Sequence, residues 1–286
     1  MVTKRLLAPL LVSVLVAGCQ VQGVNLQPLM NAAGKSSDLM DKDEQQEIEI
    51  GHRASEALLK NSSVLQNDQL QQYVNRVGVW LSLHTERPDL PWRVVVLNDS
   101  SFNAFAVPGG TLYITWGTLT RLESEAELAA ILAHEMAHVL EKHHLDEIKT
   151  QAKIDIGMEL ARMFDNDSGN QPDMATMGFQ GKSFEDQFTG AVNTLYSTGL
   201  ERGDELEADE MGIVITARAG YDPWALIQVL QKIGSEQGES GYFESFVKRH
   251  PDATDRIDAL ESVLSRPFIS SGNYLTLRDR YQRYVR

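Results

Sequence analysis

The chain has one cysteine, Cys19, among 286 residues. An intrachain disulfide is therefore excluded, and so is a zinc site built on several thiolates. Any metal here must be held by histidine and carboxylate. Positive charge is also scarce: 26 Lys and Arg stand against 40 Asp and Glu, a formal net charge of −14. Nucleic-acid binding needs a basic face, so no nucleic-acid partner is expected. An acidic surface of this kind keeps a protein soluble and self-repelling. No apolar run reaches the ~20 residues that span a bilayer. No internal repeat is visible.

What apolar run there is lies at the start. Lys4 and Arg5 precede residues 6–17, interrupted only by Pro9 and Ser13. This is the layout of an export signal. It closes on Val16-Ala17-Gly18-Cys19, which resembles the bacterial lipobox, so Cys19 is expected to become a lipidated N-terminus. More than one acyl chain makes such anchoring stable. Gln20 rather than Asp follows, which by similarity to lipoprotein sorting points to the outer membrane.

The rest reads as helices around a small sheet, an α+β arrangement. Residues 41–60 and 70–83 carry helical patterns. Residues 92–97 (WRVVVL) and 111–116 (TLYITW) read as strands flanking a Pro108-Gly109-Gly110 turn, together suggesting a small antiparallel sheet. Ser124 with Glu127 three residues on is a capping-box start for the next helix. Residues 165–188, rich in Gly, Asn, Asp and Met, read as a mobile loop. Residues 191–218 look mostly helical, Pro223 starts another helix, and 253–264 form a last amphipathic one.

The chemistry sits in Ala133-His134-Glu135-Met136-Ala137-His138, an HExxH run. Histidines at i and i+4 share one helix face, so both imidazoles can reach one metal ion. Glu135 can then act as base toward a metal-activated water. An exposed, salt-bridged turn is the plain alternative. The apolar neighbours Leu128, Ile131, Leu132, Val139 and Leu140 disfavour it, because burying these polar groups without a partner is costly. A catalytic zinc takes three protein ligands. His144 would follow the HExxHxxGxxH pattern, but Glu141 stands where that pattern needs Gly. Glu201, Glu205 and Glu207 are the downstream candidates, and spacing alone leaves the choice open. Glu205 and Asp209 share a helix face, which would let one bind metal while the other orients a histidine.

Four blocks then resemble metallopeptidase family 48, the HtpX and CAAX-prenyl-protease group, and within it small periplasmic lipoproteins. They are Asn103 through Gly110 (NAFAVPGG), the helix from Glu127 through His138 to His143, Glu205 to Asp209 (ExxxD), and His250-Pro251 with Arg256-Ile257. The blocks occur in family order over roughly residues 40–265, which is far more specific than HExxH alone. The resemblance implies a mainly helical zincin-like domain, one Zn2+ per chain on His134, His138 and Glu205, and Asp209 as support. It further implies that His250 approaches the metal or steadies the tetrahedral intermediate, with Arg256 assisting, and that the strand at 112–115 pairs with extended substrate. His52, His84, His143 and His144 read as structural or exposed.

The expected layout is a signal at 1–18, a lipidated terminus and tether at 19–38, the metallopeptidase domain at 39–268 and a tail at 269–286. The chain ends soon after the last helix, so no tetratricopeptide module is expected. The function expected is an endopeptidase acting on unfolded or misassembled envelope polypeptides at the outer membrane, facing the periplasm. A chaperone-like assembly factor is the alternative. A third reading is a latent enzyme, its zinc covered by His250 or by residues 165–188.

Overall fold

The computed structural model describes residues 27–60, 62–152, 184–236, 243–250, 253–270 and 272–286. The signal, Cys19 and positions 165–183 of the expected loop lie outside these. The chain divides into two units, 1–42 and 43–286. Of the first unit, only the beginning of helix α1 (Gln27–Leu59) is described; residues 27–38, read as tether, belong to that helix. Among the described residues no helix is long and apolar enough to cross a membrane.

The second unit is mainly helical around a three-stranded sheet. After α2 (Asp68–Ser82) come β1 (Arg93–Leu97), β2 (Ala104–Val107) and β3 (Thr111–Thr115). The expectation of a small sheet holds, but its pairing is mixed. The order is β1-β3-β2, with β1 parallel to β3 and β2 antiparallel to it. The cause is topological. Pro108 to Gly110 fold β2 and β3 into a hairpin, and β2 takes the far edge. The strands at 92–97 and 111–116 therefore run the same way. β3 is also central, so it has no free edge for a substrate; the expected pairing at 112–115 is overturned.

The outer edge of β1 is closed by α2. Gln71 Nε2 donates to Val96 O, Gln71 Oε1 accepts from Val96 N, and Asn75 Oδ1 accepts from Val94 N, each at 2.9 Å. Side-chain amides can thus satisfy a sheet edge that would otherwise invite another strand. On the hairpin side, Glu47 of α1 accepts from Gly109 N at 3.2 Å and pairs with both terminal nitrogens of Arg87.

Helices α3 (Trp116–Arg121), α4 (Glu125–Leu140) and α5 (His143–Ala152) follow. Ser124 caps α4 as expected, its hydroxyl accepting from Glu127 N at 3.2 Å. Glu127 reaches back one residue further than a capping box requires, to Glu123 N at 2.8 Å. Almost every residue of α4 is buried, so this is the central helix of the unit. Next are α6 (Phe184–Thr198), α7 (Arg202–Arg218), α8 (Ala225–Glu236), α9 (Glu244–Arg249), α10 (Ala253–Leu264) and α11 (Pro267–Ser270). Positions 184–188 of the expected loop are helical, and Phe188 is buried in the core.

The segment read as a tail holds a further helix, α12 (Arg278–Val285), with Tyr281 fully buried. It docks where α4 begins. Glu125 is fully buried yet accepts hydrogen bonds from Tyr73 Oη (2.8 Å), Tyr221 Oη (2.7 Å) and Arg280 Nε (2.6 Å). Tyr284 stacks on Tyr73 with ring centroids 4.1 Å apart.

Gly51 of α1 lies against the hairpin turn. A Cβ at this position would stand 1.8 Å from Pro108 O, and that neighbour is backbone. Gly51→Ala is therefore expected to destabilise the protein by roughly 1–3 kcal/mol through overpacking, as read from urea denaturation. An unchanged midpoint would mean that α1 is free to shift away from the hairpin.

Candidate metal centre

His134 and His138 lie one turn apart on α4, and their Nε2 atoms converge to 3.1 Å. Helix α7 crosses α4 at this level. The crossing is close because residue 212 is glycine; a Cβ there would meet His134 N at 3.0 Å. One and two turns before Gly212, Ala208 with Asp209 and then Glu205 occupy the same buried face. Glu205 Oε2 thereby lies 3.6 Å from His134 Nε2, and Oε1 lies 3.5 Å from His138 Nε2. The competing acids do not reach this point: Glu201 stands at the N-cap of α7 and is exposed, as is Glu207.

His250, at the end of α9, completes the group. Its Nδ1 is 3.3 Å from His134 Nε2 and 3.0 and 3.1 Å from the Glu205 oxygens. One atom from each of His134, His138, Glu205 and His250 falls within 4.8 Å of the others, and all four residues are buried. His250 was expected to approach the metal or to steady the tetrahedral intermediate; its Nδ1 lies among the candidate ligand atoms.

A second layer holds these groups. Asp209 Oδ1 is 2.9 Å from His134 Nδ1. Arg256 donates to both Asp209 oxygens at 2.7 Å and places Nη1 3.1 Å from Glu205 Oε2. Burial would raise the Asp209 carboxyl, but the Arg256 charge and the contacts of Arg256 and His134 outweigh it and hold it at about 2. For Glu205 burial wins over Arg256 and pushes the carboxyl up to about 7.

This arrangement fits a metal ion. Ionised Asp209 accepts the Nδ1 proton of His134, so the lone pair of His134 is on Nε2. That lone pair points at a second imidazole nitrogen and at a carboxylate whose charged form burial disfavours. A divalent cation held by His134, His138 and Glu205 would relieve both conflicts.

Glu135 is fully buried beside this cluster, and neither of its oxygens has a hydrogen-bond partner among the described residues. His250 Nε2 approaches Oε1 at 3.5 Å. Burial and the Glu205 charge push the Glu135 carboxyl up to about 8, against the pull of Arg249.

Two further residues came together that the sequence did not single out. His143, expected to be structural or exposed, puts Nδ1 3.0 Å from His138 Nδ1. Arg249 lies over the Phe105 ring at 4.8 Å. The paired His143-His144 just beyond the motif was the available signal for the first. His144 itself is buried, stacks on Tyr196 at 5.0 Å between centroids and stands edge-on to His138 at 5.1 Å. His52 is exposed and His84 half-buried, as expected.

Residues 64–264 match the model of peptidase family M48. The chain belongs to that family. The matched span contains all four clustered residues, with Asp209 and Arg256. A β-barrel assembly-enhancing protease of Yersinia pestis is 26% identical over 98% of this chain and 57% of its own length. The mitochondrial metalloendopeptidase OMA1 of Schizosaccharomyces pombe is 28% identical over 67% of this chain and 52% of its own. The β-barrel assembly-enhancing protease of Escherichia coli K12 is 25% identical over 74% and 42%. The chain thus spans about half the length of the curated relatives it matches. Within this M48 domain, the carboxylates on α7 and the guanidinium from α10 are interdependent. Arg256→Met leaves Asp209 buried without its cation, which typically costs roughly 3–5 kcal/mol. Chemical denaturation of metal-free protein is expected to show this loss, and Asp209→Asn combined with Arg256→Met to recover much of it. Loss confined to the metal-loaded protein would mean that the pair serves the ion and not the fold.

Proposed function

We propose that this chain is a zinc-dependent endopeptidase. Glu135 carries the reading: a fully buried carboxylate with no hydrogen-bond partner, beside two imidazoles and a second carboxylate. A site that served structure alone needs no acid–base group there. Two histidines and one glutamate are a zinc donor set. Donors ~2.0–2.1 Å from a tetrahedral ion stand about 3.3 Å from one another; here the two Nε2 atoms are 3.1 Å apart, with Glu205 Oε2 3.6 Å from that of His134 and Oε1 3.5 Å from that of His138. His134, His138 and Glu205 would hold the ion. When bound, zinc supplies Lewis acidity that acidifies a water and polarises a peptide carbonyl.

The protein's own groups do the rest. Asp209 and Arg256 fix the tautomer and the orientation of His134. Glu135 takes the proton of the attacking water at its carboxylate and delivers it to the leaving amine. The other edge of the sheet is β2, where Tyr196 Oη donates to Ala106 O at 2.5 Å; an extended peptide pairing there would displace that bond.

The names of the bacterial relatives and the Cys19 signal support a place at the outer membrane, lipid-anchored and facing the periplasm. Substrates there would be unfolded or misassembled envelope polypeptides. The same names leave room for a chaperone-like assembly role. Zinc content and casein cleavage separate these readings. Wild type and Glu135→Gln are both expected to hold zinc, with cleavage by the variant about 100-fold or more lower. Equal cleavage would remove Glu135 as the base; zinc in both and cleavage by neither would favour the assembly role or latency; zinc in neither would end the metallopeptidase reading.

Latency is favoured by one observation, the position of His250 Nδ1 among the ligand atoms. Such a ligand fills the position that substrate or water needs. His250→Ala is then expected to raise casein cleavage at unchanged zinc content. A fall in cleavage would assign His250 to the reaction instead.

A further inference from the structure

His134 and His138 are supported in different ways, and the difference identifies a residue. His134 presents Nδ1 to a buried carboxylate. His138 presents Nδ1 to another imidazole, His143 Nδ1, at 3.0 Å. The other nitrogen of His143, Nε2, faces Glu207 Oε2 at 3.4 Å and Asp204 Oδ1 at 3.9 Å, both on α7. A carboxylate only accepts, so His143 carries its proton on Nε2 and a lone pair on Nδ1. His138 then donates from Nδ1 and keeps its lone pair on Nε2, the atom 3.1 Å from His134 Nε2. The network assigns every proton in one sense.

The backbone that sets this up is itself unusual. Lys142, between α4 and α5, has φ +62°, the left-handed region that is sterically strained for an L residue. Its N–H bonds Val139 O at 3.2 Å, closing the turn that brings α5 back beneath His138. A relaxed continuation of α4 would carry residue 143 around the helix and away from residue 138, which it follows by five positions.

We propose that His143 is a positioning residue for the metal ligand His138. It acts as the middle of a carboxylate–histidine–histidine relay that starts at the α7 acids. The proposal rests on the metallopeptidase reading only in taking His138 as a ligand. The two supports differ in exposure: the Asp209 side chain is wholly buried, whereas the Glu207 side chain is 57% exposed. The His138 side of the centre is therefore the one that solvent and surface chemistry reach.

The test is zinc affinity of the full chain by chelator competition, with no cleavage involved. His143→Ala removes the acceptor and is expected to weaken zinc binding about 10–100-fold. His143→Asn puts its amide oxygen near the place of Nδ1 and should restore most of the affinity. His143→Gln, whose oxygen reaches toward the place of Nε2, should not. Melting temperatures of the zinc-free variants separate positioning from plain packing, since the packing loss should not distinguish Asn from Gln. Equal affinity in wild type and His143→Ala, or Asn no better than Ala, would overturn the relay. A wild type that binds no zinc would defeat the metallopeptidase reading instead, a result distinct from either.

Discussion

A carboxylate cannot be buried alone. Glu205, Asp209 and Glu135 are all buried between α4, α7 and α9, and most of the geometry of the unit answers that constraint. Arg256 supplies one cation from α10 and engages two of the three acids. His134 supplies a donor to Asp209. What these groups leave uncompensated is concentrated at one point, where Glu205 faces three imidazole nitrogens and Glu135 has no hydrogen-bond partner among the described residues. Among these buried acids, charge is left uncompensated only where a metal ion and a water would enter. That distribution is hard to reconcile with a core assembled for stability, since apolar residues of similar volume would serve as well or better.

Two helices crossing at a glycine make this arrangement possible. Small residues on α7, Ala208 and Gly212, let it lie against α4 closely enough for side chains on facing turns to share one centre. The same closeness leaves little freedom for the ligands: the two histidines are held at Nδ1 by Asp209 and His143, and Glu205 faces Arg256 Nη1. Precision at the site follows from backbone proximity first and from polar contacts second.

Much of this could be read from the residues. An i, i+4 histidine pair on an apolar helix announces a buried metal pair, and Ser124 announces where that helix begins. Choosing Glu205 over Glu201 and Glu207 needed the family resemblance. Spacing places three acids on one helix but does not say which face turns inward; Ala208 and Gly212 are the residues that decide it. The strand pairing was not legible, because nothing local reveals that β2 goes to the far edge and leaves β1 beside β3. Nor was the docking of α12 legible. Four exposed arginines within 278–286 make the segment look like a solvated tail, and the signal that it docks is the apolar spacing of Leu277, Tyr281, Tyr284 and Val285. His143 was set aside because a histidine past a helix end looks exposed until the turn at Lys142 is seen.

The bond between Arg280 and Glu125 joins positions 155 apart in sequence. Glu125 is the first residue of the helix that carries both histidines, and among the described residues its buried charge pairs with that late arginine. A polypeptide emerging from a ribosome or a translocon presents α4 long before it presents α12. Until then the start of α4 holds an acid with tyrosines for company and no positive charge to settle it. The start of the helix that carries both histidines is thus held by a residue that comes 155 positions later in the chain.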